Sequence, residues 1–297
     1  MTKAVPSRRE RLLCDLDPTR LRGLEFGPLT NPIVLPDEGP ISYVDYLTTS
    51  GLQTKYRDDP NVDADRIVDV DVVLEAGRLP EAVLTSSFDY VVASHVLEHL
   101  PDPLGWLKQC AAALKPGGTL CLALPDKRYT WDILRRETEL WEWVDGYVMR
   151  QVMPTPGQVF EATSRTVLMR TGVPWEREPT TAELQPEREL PAALELARLA
   201  ATEHVDVHCS VFTPGTFLRL LGDAHRTGLC QFELARFHDI RPGEIEFVVQ
   251  LRYQPDGDSA LAAQAFAAAA VCSERDSRLA RYARSAVRKA SAWASGA

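Results

Sequence analysis

Residues 88–125 read FDYVVASHVLEHLPDPLGWLKQCAAALKPGGTLCLALP, and the reading of this stretch decides the fold. Phe88 to Ser94 is a β-rich apolar run of strand length. Leu104, Leu107, Ala111 and Leu114 recur at helical spacing, and the glycines of KPGG suit a C-cap followed by a turn. Thr119 to Leu124 is a second apolar run, closed by Pro125. A strand, a helix and a strand in this order predict a parallel pair joined by a right-handed crossover.

The same alternation extends outward. Leu21 to Phe26, Ile41 to Leu47 and Ile67 to Val73 are further strand candidates, preceded by a short amphipathic helix over residues 8–16. Thirteen residues separate Gly27 from Ile41, and four are proline (Pro28, Pro32, Pro36, Pro40). A parallel connection needs about a dozen residues, so a short turn is expected there in place of a full helix. From about Ile133 to His204 the chain is helix-prone, broken by prolines and rich in tryptophan, as for a helical insertion. Thr213 to Leu221 reads as a helix with a threonine N-cap and proline in its first turn. Phe232 to Phe237 and Glu246 to Tyr253 read as a closing hairpin-like pair. The expectation is an α/β, doubly wound, mostly parallel seven-stranded sheet with a helical insertion after strand 5. Its units are an N-terminal helix or lid (1–20), a sheet domain (21–132 and 205–256), the insertion (133–204) and a helical tail (257–297).

Composition narrows the function classes. The chain of 297 residues is 45% hydrophobic and 25% charged, with a formal net charge of −9. A phosphate-tracking surface needs a basic excess, so no nucleic-acid partner is expected. Six cysteines stand singly with no C-x-x-C pair, which argues against a zinc ribbon or a disulfide framework and for a reducing, cytoplasmic setting. The polar N-terminus lacks the apolar core of a signal peptide. The longest apolar run, 260–271, is too short to span a bilayer. The tail carries Arg275, Arg278, Arg281, Arg284 and Arg288 at near-helical spacing. Such a helix covers its own domain or a partner subunit more often than a membrane, and a homodimer stays open.

Four elements occur in a telling order: LEFGP (24–28), a strand ending on Asp45, EAGRLP (75–80) and the long 88–120 stretch. In these the chain resembles the class I S-adenosylmethionine (SAM)-dependent methyltransferases, over roughly residues 20–126 and the closing strands. HVLEHLPDPLGWLKQ, LPDKRYTWD and HCSVFTPGTFL are similar to a bacterial subgroup found among glycan and natural-product pathways. The resemblance implies a Rossmann-like fold with SAM as cofactor and a small-molecule acceptor. It implies that Gly27 lets the cofactor approach the backbone, that Glu25 lies near the methionine ammonium, and that Asp45 accepts the ribose hydroxyls. Glu75 and Ala76 match the adenine position, and Ser94 and His95 pass beside the methionine part. The family usually has a second glycine where this chain has Leu29.

The reacting groups are less determined. A hydroxyl nucleophile needs a base, most often histidine, and His99 and His208 are the candidates, with His204 beside them. Asp126, Lys127, Arg128 and Tyr129 follow the fifth strand at the edge where α/β folds bind ligands. Arg128 and Tyr129 are candidate acceptor contacts, and salt bridges tying the insertion to the sheet are an equal alternative. His95, Glu98 and His99 spell H-x-x-E-H, an inverted zincin pattern. His95 follows directly on a strand and Pro101 and Pro103 break any helix, so no metal site is expected. The leading reading is O-methylation of a sugar-bearing or other small natural product. Attack at a non-methyl carbon of the sulfonium, and a non-catalytic SAM-fold partner protein, are the alternatives.

Overall fold

The computed structural model describes residues 6–168, 175, 177 and 179–275. Its centre is a seven-stranded sheet in the order β3-β2-β1-β4-β5-β7-β6. The strands are β1 (Gly23–Phe26), β2 (Ile41–Asp45), β3 (Val72–Val73), β4 (Phe88–Ser94), β5 (Leu114–Pro125), β6 (Phe232–His238) and β7 (Glu246–Tyr253). Six run in one direction, and β7 inserts antiparallel between β5 and β6. The order reverses between β1 and β4, and such a reversal opens a ligand crevice at the carboxyl ends of the strands.

Alternation along the strands builds two cores. Val91 and Ala93 of β4, with Leu120, Leu122 and Leu124 of β5, face a large core that α3 (Pro103–Ala113), α4 (Leu140–Met149) and α7 (Pro214–Arg226) help to cover. Tyr90, Val92, Cys121 and Ala123 face the opposite side, where they meet Leu12, Leu13, Ile33 and Val34. The β1–β2 crossover holds turns and no helix, as its prolines predict. The face that a crossover helix would cover is instead closed by α1 (Arg8–Leu12) and by residues 33 and 34.

The sequence over-extended one strand and misplaced one turn. Of Ile67 to Val73 only Val72 and Val73 join the sheet. The alternating Val68-Asp69-Val70-Asp71 is claimed by other partners: Val68 N–H donates to the Leu29 carbonyl, Val70 N–H to Thr49 Oγ1, and Asp71 Oδ2 accepts from Tyr43 N–H. The KPGG glycines do not cap α3 from outside. Leu114 is already extended, and Gly117 (φ 81°) sits within a bulge that shifts the pairing from Phe88–Leu114 to Tyr90–Thr119.

Between β5 and α7 lie α4, α5 (Pro156–Arg165) and α6 (Leu190–Leu199). Thr155 and Thr213 cap α5 and α7 by accepting from Gln158 N–H and Thr216 N–H, with proline in the first turn of each. Residues 259–275 are helical, and Arg278, Arg281, Arg284 and Arg288 lie outside the described residues. Among the described residues no helix is long and apolar enough to cross a membrane.

Candidate active site

Strand register aligns the first group of candidates. Phe26 is paired with Val44 on one side and Ala93 on the other, so the next residues of each strand, Gly27, Asp45 and Ser94, end in one row. Gly27 is left-handed (φ 60°), and a Cβ there would meet Val96 Cγ2 at 3.3 Å. Asp45 is 6% exposed and accepts from Tyr46 N–H at 2.7 Å. Burial pushes its pKa up to about 6, against the pull of the Tyr46 amide and Lys55. Glu75 and Arg78 close a tight turn by mutual backbone hydrogen bonds, with Ala76 (φ 47°) and Gly77 (φ 74°) at its tip.

Leu29 (φ 46°) and His95 (φ 55°) are also left-handed. With Ala76 they put three non-glycine residues in that sparsely allowed region along one edge of the sheet. Strain of this kind costs roughly 1–3 kcal/mol per residue and gathers at functional sites. Leu29 thus keeps the backbone turn that a glycine would adopt without strain.

Glu25 is not a solvated charge. It is 2% exposed and its two oxygens accept from Ile33 N–H at 2.7 Å and Val34 N–H at 3.1 Å, which pins the helix-free crossover beneath α1. Burial outweighs these bonds and raises its pKa to about 7. His95 lies between Glu246 Oε2 (2.8 Å from Nε2) and Glu98 Oε1 (3.2 Å from Nδ1). Burial opposes its charge, but the two carboxylates prevail and lift its pKa to about 9. Arg8 of α1 reaches the same place, contacting Ser94 Oγ and lying 2.9 Å from Glu246 Oε2.

A second group centres on Glu98. The chain turns after β4 through a single 3-10 turn, Leu97–His99, and not the helix that an inverted zincin pattern needs. Glu98 is fully buried, and neither carboxylate oxygen has a hydrogen-bond partner. Burial alone would raise its pKa; attraction by His95, then by His208 and His99, brings it below the ordinary carboxylate range. His99 Nδ1 lies 2.8 Å from Asp206 Oδ1, and His208 Nδ1 lies 2.6 Å from Asp132 Oδ2. The two rings meet edge to face with centroids 4.6 Å apart. One atom each from Glu98, His99 and His208 lie within 4.8 Å of one another.

The segment carrying His208 is fixed from both sides. Ser210 N–H donates to the Glu98 carbonyl, Arg135 Nη2 donates to the His208 carbonyl, and Trp143 Nε1 donates to Ser210 Oγ. Arg135 is 3% exposed and also holds Asp132 at 2.9 Å and Glu161 at 2.7 Å. Trp131, 48% exposed, stands 5.7 Å from His208. His204 is exposed and outside the cluster. Beyond Arg135 opens a cleft of about 260 Å³ lined by Arg136, Trp141, Glu142, Asp145, Gln158 and Cys209 among others.

The PDKRYTWD segment divides between ties and site. Arg128 Nε lies 2.9 Å from both oxygens of buried Asp126, and Lys127 Nζ donates to the Ile133 carbonyl. Both cations are held within their own segment, by Asp126 and by the Ile133 carbonyl. Tyr129 stacks on Trp175 at 3.7 Å. Asp132, Asp206, Glu98 and Arg135 were not singled out from the sequence as site residues. Asp132 is 76 positions from His208 and Asp206 is 107 from His99, so no local spacing links them.

A methyltransferase-domain family profile matches residues 3–225. Ubiquinone biosynthesis O-methyltransferases of Xanthomonas campestris pv. campestris (strain B100) and Xanthomonas oryzae pv. oryzae (strain PXO99A) are 45% and 43% identical to it over 56 residues. Each match covers 19% of this chain and 23% of the relative. Among solved structures, the CurJ carbon methyltransferase is similar at 16% identity and TM-score 0.39, over 81% of this chain and 50% of that one. A SAM-dependent methyltransferase of Thermotoga maritima, described as a possible histamine N-methyltransferase, is similar at 16% identity and TM-score 0.36, over 83% and 87%. The doubly wound sheet, the row at its carboxyl edge and the family match over three-quarters of the chain together place it: this protein belongs to the class I SAM-dependent methyltransferases.

Proposed function

We propose that this enzyme transfers a methyl group from SAM to a hydroxyl of a small acceptor, of the sugar-bearing or natural-product kind. The observation that carries the reading is the buried Asp132–His208 pair, facing Glu98 and His99 just past the carboxyl end of β4. An orienting carboxylate behind an imidazole fixes which ring nitrogen is left to take a proton.

The residues of the sheet edge fit the cofactor chemically. A nucleoside ligand needs close backbone approach and an acceptor for its ribose hydroxyls. Gly27 leaves the space that a side chain would take, and the Asp45 carboxylate has acceptor capacity beyond the Tyr46 amide. In this reading the Glu75–Ala76 turn meets the adenine, and Ser94 and His95 border the methionine part. When bound, SAM supplies a methyl carbon made electrophilic by its sulfonium. The His99–His208 cluster would stand ready to take the proton that the acceptor hydroxyl gives up as its oxygen takes the methyl group.

The acceptor's character is inferred from what stands nearby. Trp131 offers a flat exposed face beside His208, and the cleft beyond Arg135 presents carboxylates, guanidinium groups and amides suited to a polyhydroxylated molecule. The helices between β5 and α7 would then form the acceptor side of the site. The similar ubiquinone biosynthesis O-methyltransferases favour oxygen as the nucleophile and say nothing of this acceptor. All six cysteines are free, in keeping with a reducing cytosol as the place of work.

The test is incubation with methyl-labelled SAM and a panel of glycosides and phenols. Labelled product with stoichiometric S-adenosylhomocysteine is expected. Methylthioadenosine as the only nucleoside product would show attack at another carbon and end the methyl-transfer reading.

A further inference from the structure

We propose that Glu98, His99 and His208 form a binding site for one divalent transition-metal cation of the zinc type, oriented by Asp206 and Asp132. The sequence pattern H-x-x-E-H suggested the wrong trio. The fold turns His95 toward Glu246 and brings His208 to Glu98 and His99 instead.

Three observations converge. Glu98 is 0% exposed and both its oxygens lack a hydrogen-bond partner; His95, a cation it shares with Glu246, stands 3.2 Å from Oε1. One shared imidazolium offsets part of the cost of a buried ionised carboxylate, and a ligated cation would offset more. Next, each imidazole of the trio gives its Nδ1–H to an aspartate, at 2.8 Å for His99 and 2.6 Å for His208. That leaves Nε2 of each ring to ligate, and a carboxylate behind the imidazole is the usual support of a metal-binding histidine. Finally, one ligand-capable atom of each of the three residues, a ring nitrogen or a carboxylate oxygen, lies within 4.8 Å of the others. A tetrahedral ion with bonds of about 2.1 Å holds its ligands about 3.4 Å apart, so binding needs a contraction of about an ångström, within reach of side-chain rotation.

The donor set selects the ion. Two imidazoles and one carboxylate with a position left open is a zinc-type catalytic set. Magnesium and calcium prefer oxygen ligands throughout. The open position faces the accessible side: His99 has 34% of its side chain exposed, and Trp131 stands exposed beside His208. The inference rests on the reading of this cluster as the acceptor's hydroxyl site and specifies how the proton is released there. With an ion held by Glu98, His99 and His208, Lewis-acid activation would let the acceptor hydroxyl lose its proton to solvent, and this would replace the imidazole-base step of the metal-free reading.

The experiment uses the full chain, stripped with a chelator and titrated with Zn²⁺ by calorimetry and with Co²⁺ by visible absorption. One ion per chain is expected, with a tetrahedral Co²⁺ spectrum. Glu98→Gln and His208→Gln should each weaken binding at least about 100-fold. Asp206→Asn, at a half-exposed position where folding is not at stake, should weaken it about 10- to 100-fold. His204→Gln, at the exposed neighbour, should leave it unchanged. Failure of Zn²⁺ and Co²⁺ to bind, or binding that survives Glu98→Gln and Asp206→Asn, overturns the proposal. Methyl transfer undiminished after chelation also overturns it and leaves an imidazole as the base. Zinc bound by these ligands in a chain that transfers no methyl group would uphold the site and sink the proposed function alone.

Discussion

His208 Nδ1 lies 2.6 Å from Asp132 Oδ2 with both side chains buried, and Arg135 lies 2.9 Å from the other oxygen of the same carboxylate. One carboxylate therefore orients the imidazole and neutralises a buried guanidinium. Asp132→Asn keeps the shape and removes the charge. Breaking a buried pair costs about 3–5 kcal/mol, and the lower end is expected because Arg135 keeps Glu161 and the His208 carbonyl. Urea denaturation measures that loss. His208→Gln should lower kcat about 100-fold while SAM binding stays within about twofold; an unchanged kcat would remove His208 from the reaction.

Asp45 has a pKa raised to about 6 by burial. In the proposed function ribose hydroxyls would donate to the ionised carboxylate, so cofactor binding would lower that pKa. Affinity for SAM should be full above pH 6 and fall as the pH drops through it. Asp45→Asn should flatten this profile. Asp45→Ala should weaken binding about 10- to 100-fold, the loss of charged hydrogen bonds worth about 1.5–3 kcal/mol each. Calorimetric titration between pH 5 and 8 checks both.

Glu25 carries a pH-dependent stability term of defined sign. Its folded pKa, about 7, stands above the ordinary 4.5, so the folded chain holds a proton that the unfolded chain gives up. The contribution is fully present below about pH 4.5 and is lost as pH rises through 7, by about 3 kcal/mol at most. In Glu25→Gln the amide oxygen still accepts one of the Ile33 and Val34 N–H groups, and no proton is exchanged. The stability advantage of the parent over this variant should shrink between pH 4.5 and 7. A constant difference would show that Glu25 does not titrate there.

Gly146 tests how the insertion is seated. A Cβ at this position of α4 would stand 2.1 Å from the Pro101 carbonyl oxygen, and backbone cannot yield as a side-chain tip can. Gly146→Ala should destabilise by about 1–3 kcal/mol, lowering Tm by about 2–4 °C per kcal/mol. The displaced Pro101 is two residues from His99, so kcat should fall with little change in SAM affinity.

Much of the fold was legible because its signals are local. Leu104, Leu107 and Ala111 at helical spacing marked α3, and all three are buried in the large core. The apolar runs of β1, β4 and β5 are long enough to be recognised. Leu29 looked like a break in the cofactor loop, yet its backbone holds φ 46°; the conformation was kept where the residue type was not. The alternation of Val68 to Asp71 misled because aspartates that cap neighbouring backbone look the same in sequence as those on the wet face of a strand.

The sequence by itself determined the doubly wound sheet and the helix-free crossover, which follow from periodicity, strand length and proline content; Gly27, Asp45 and Ser94 were named through the family resemblance, and strand register put them in one row. Only the tertiary structure decided which groups meet there. Asp206 reaches His99 across 107 positions of chain, and Asp132 reaches His208 across 76. Nothing in local spacing encodes a contact made by folding a distant loop over a sheet edge. The same holds for Glu25, whose two oxygens became the brace of the crossover, because burial and partners are properties of the packed molecule.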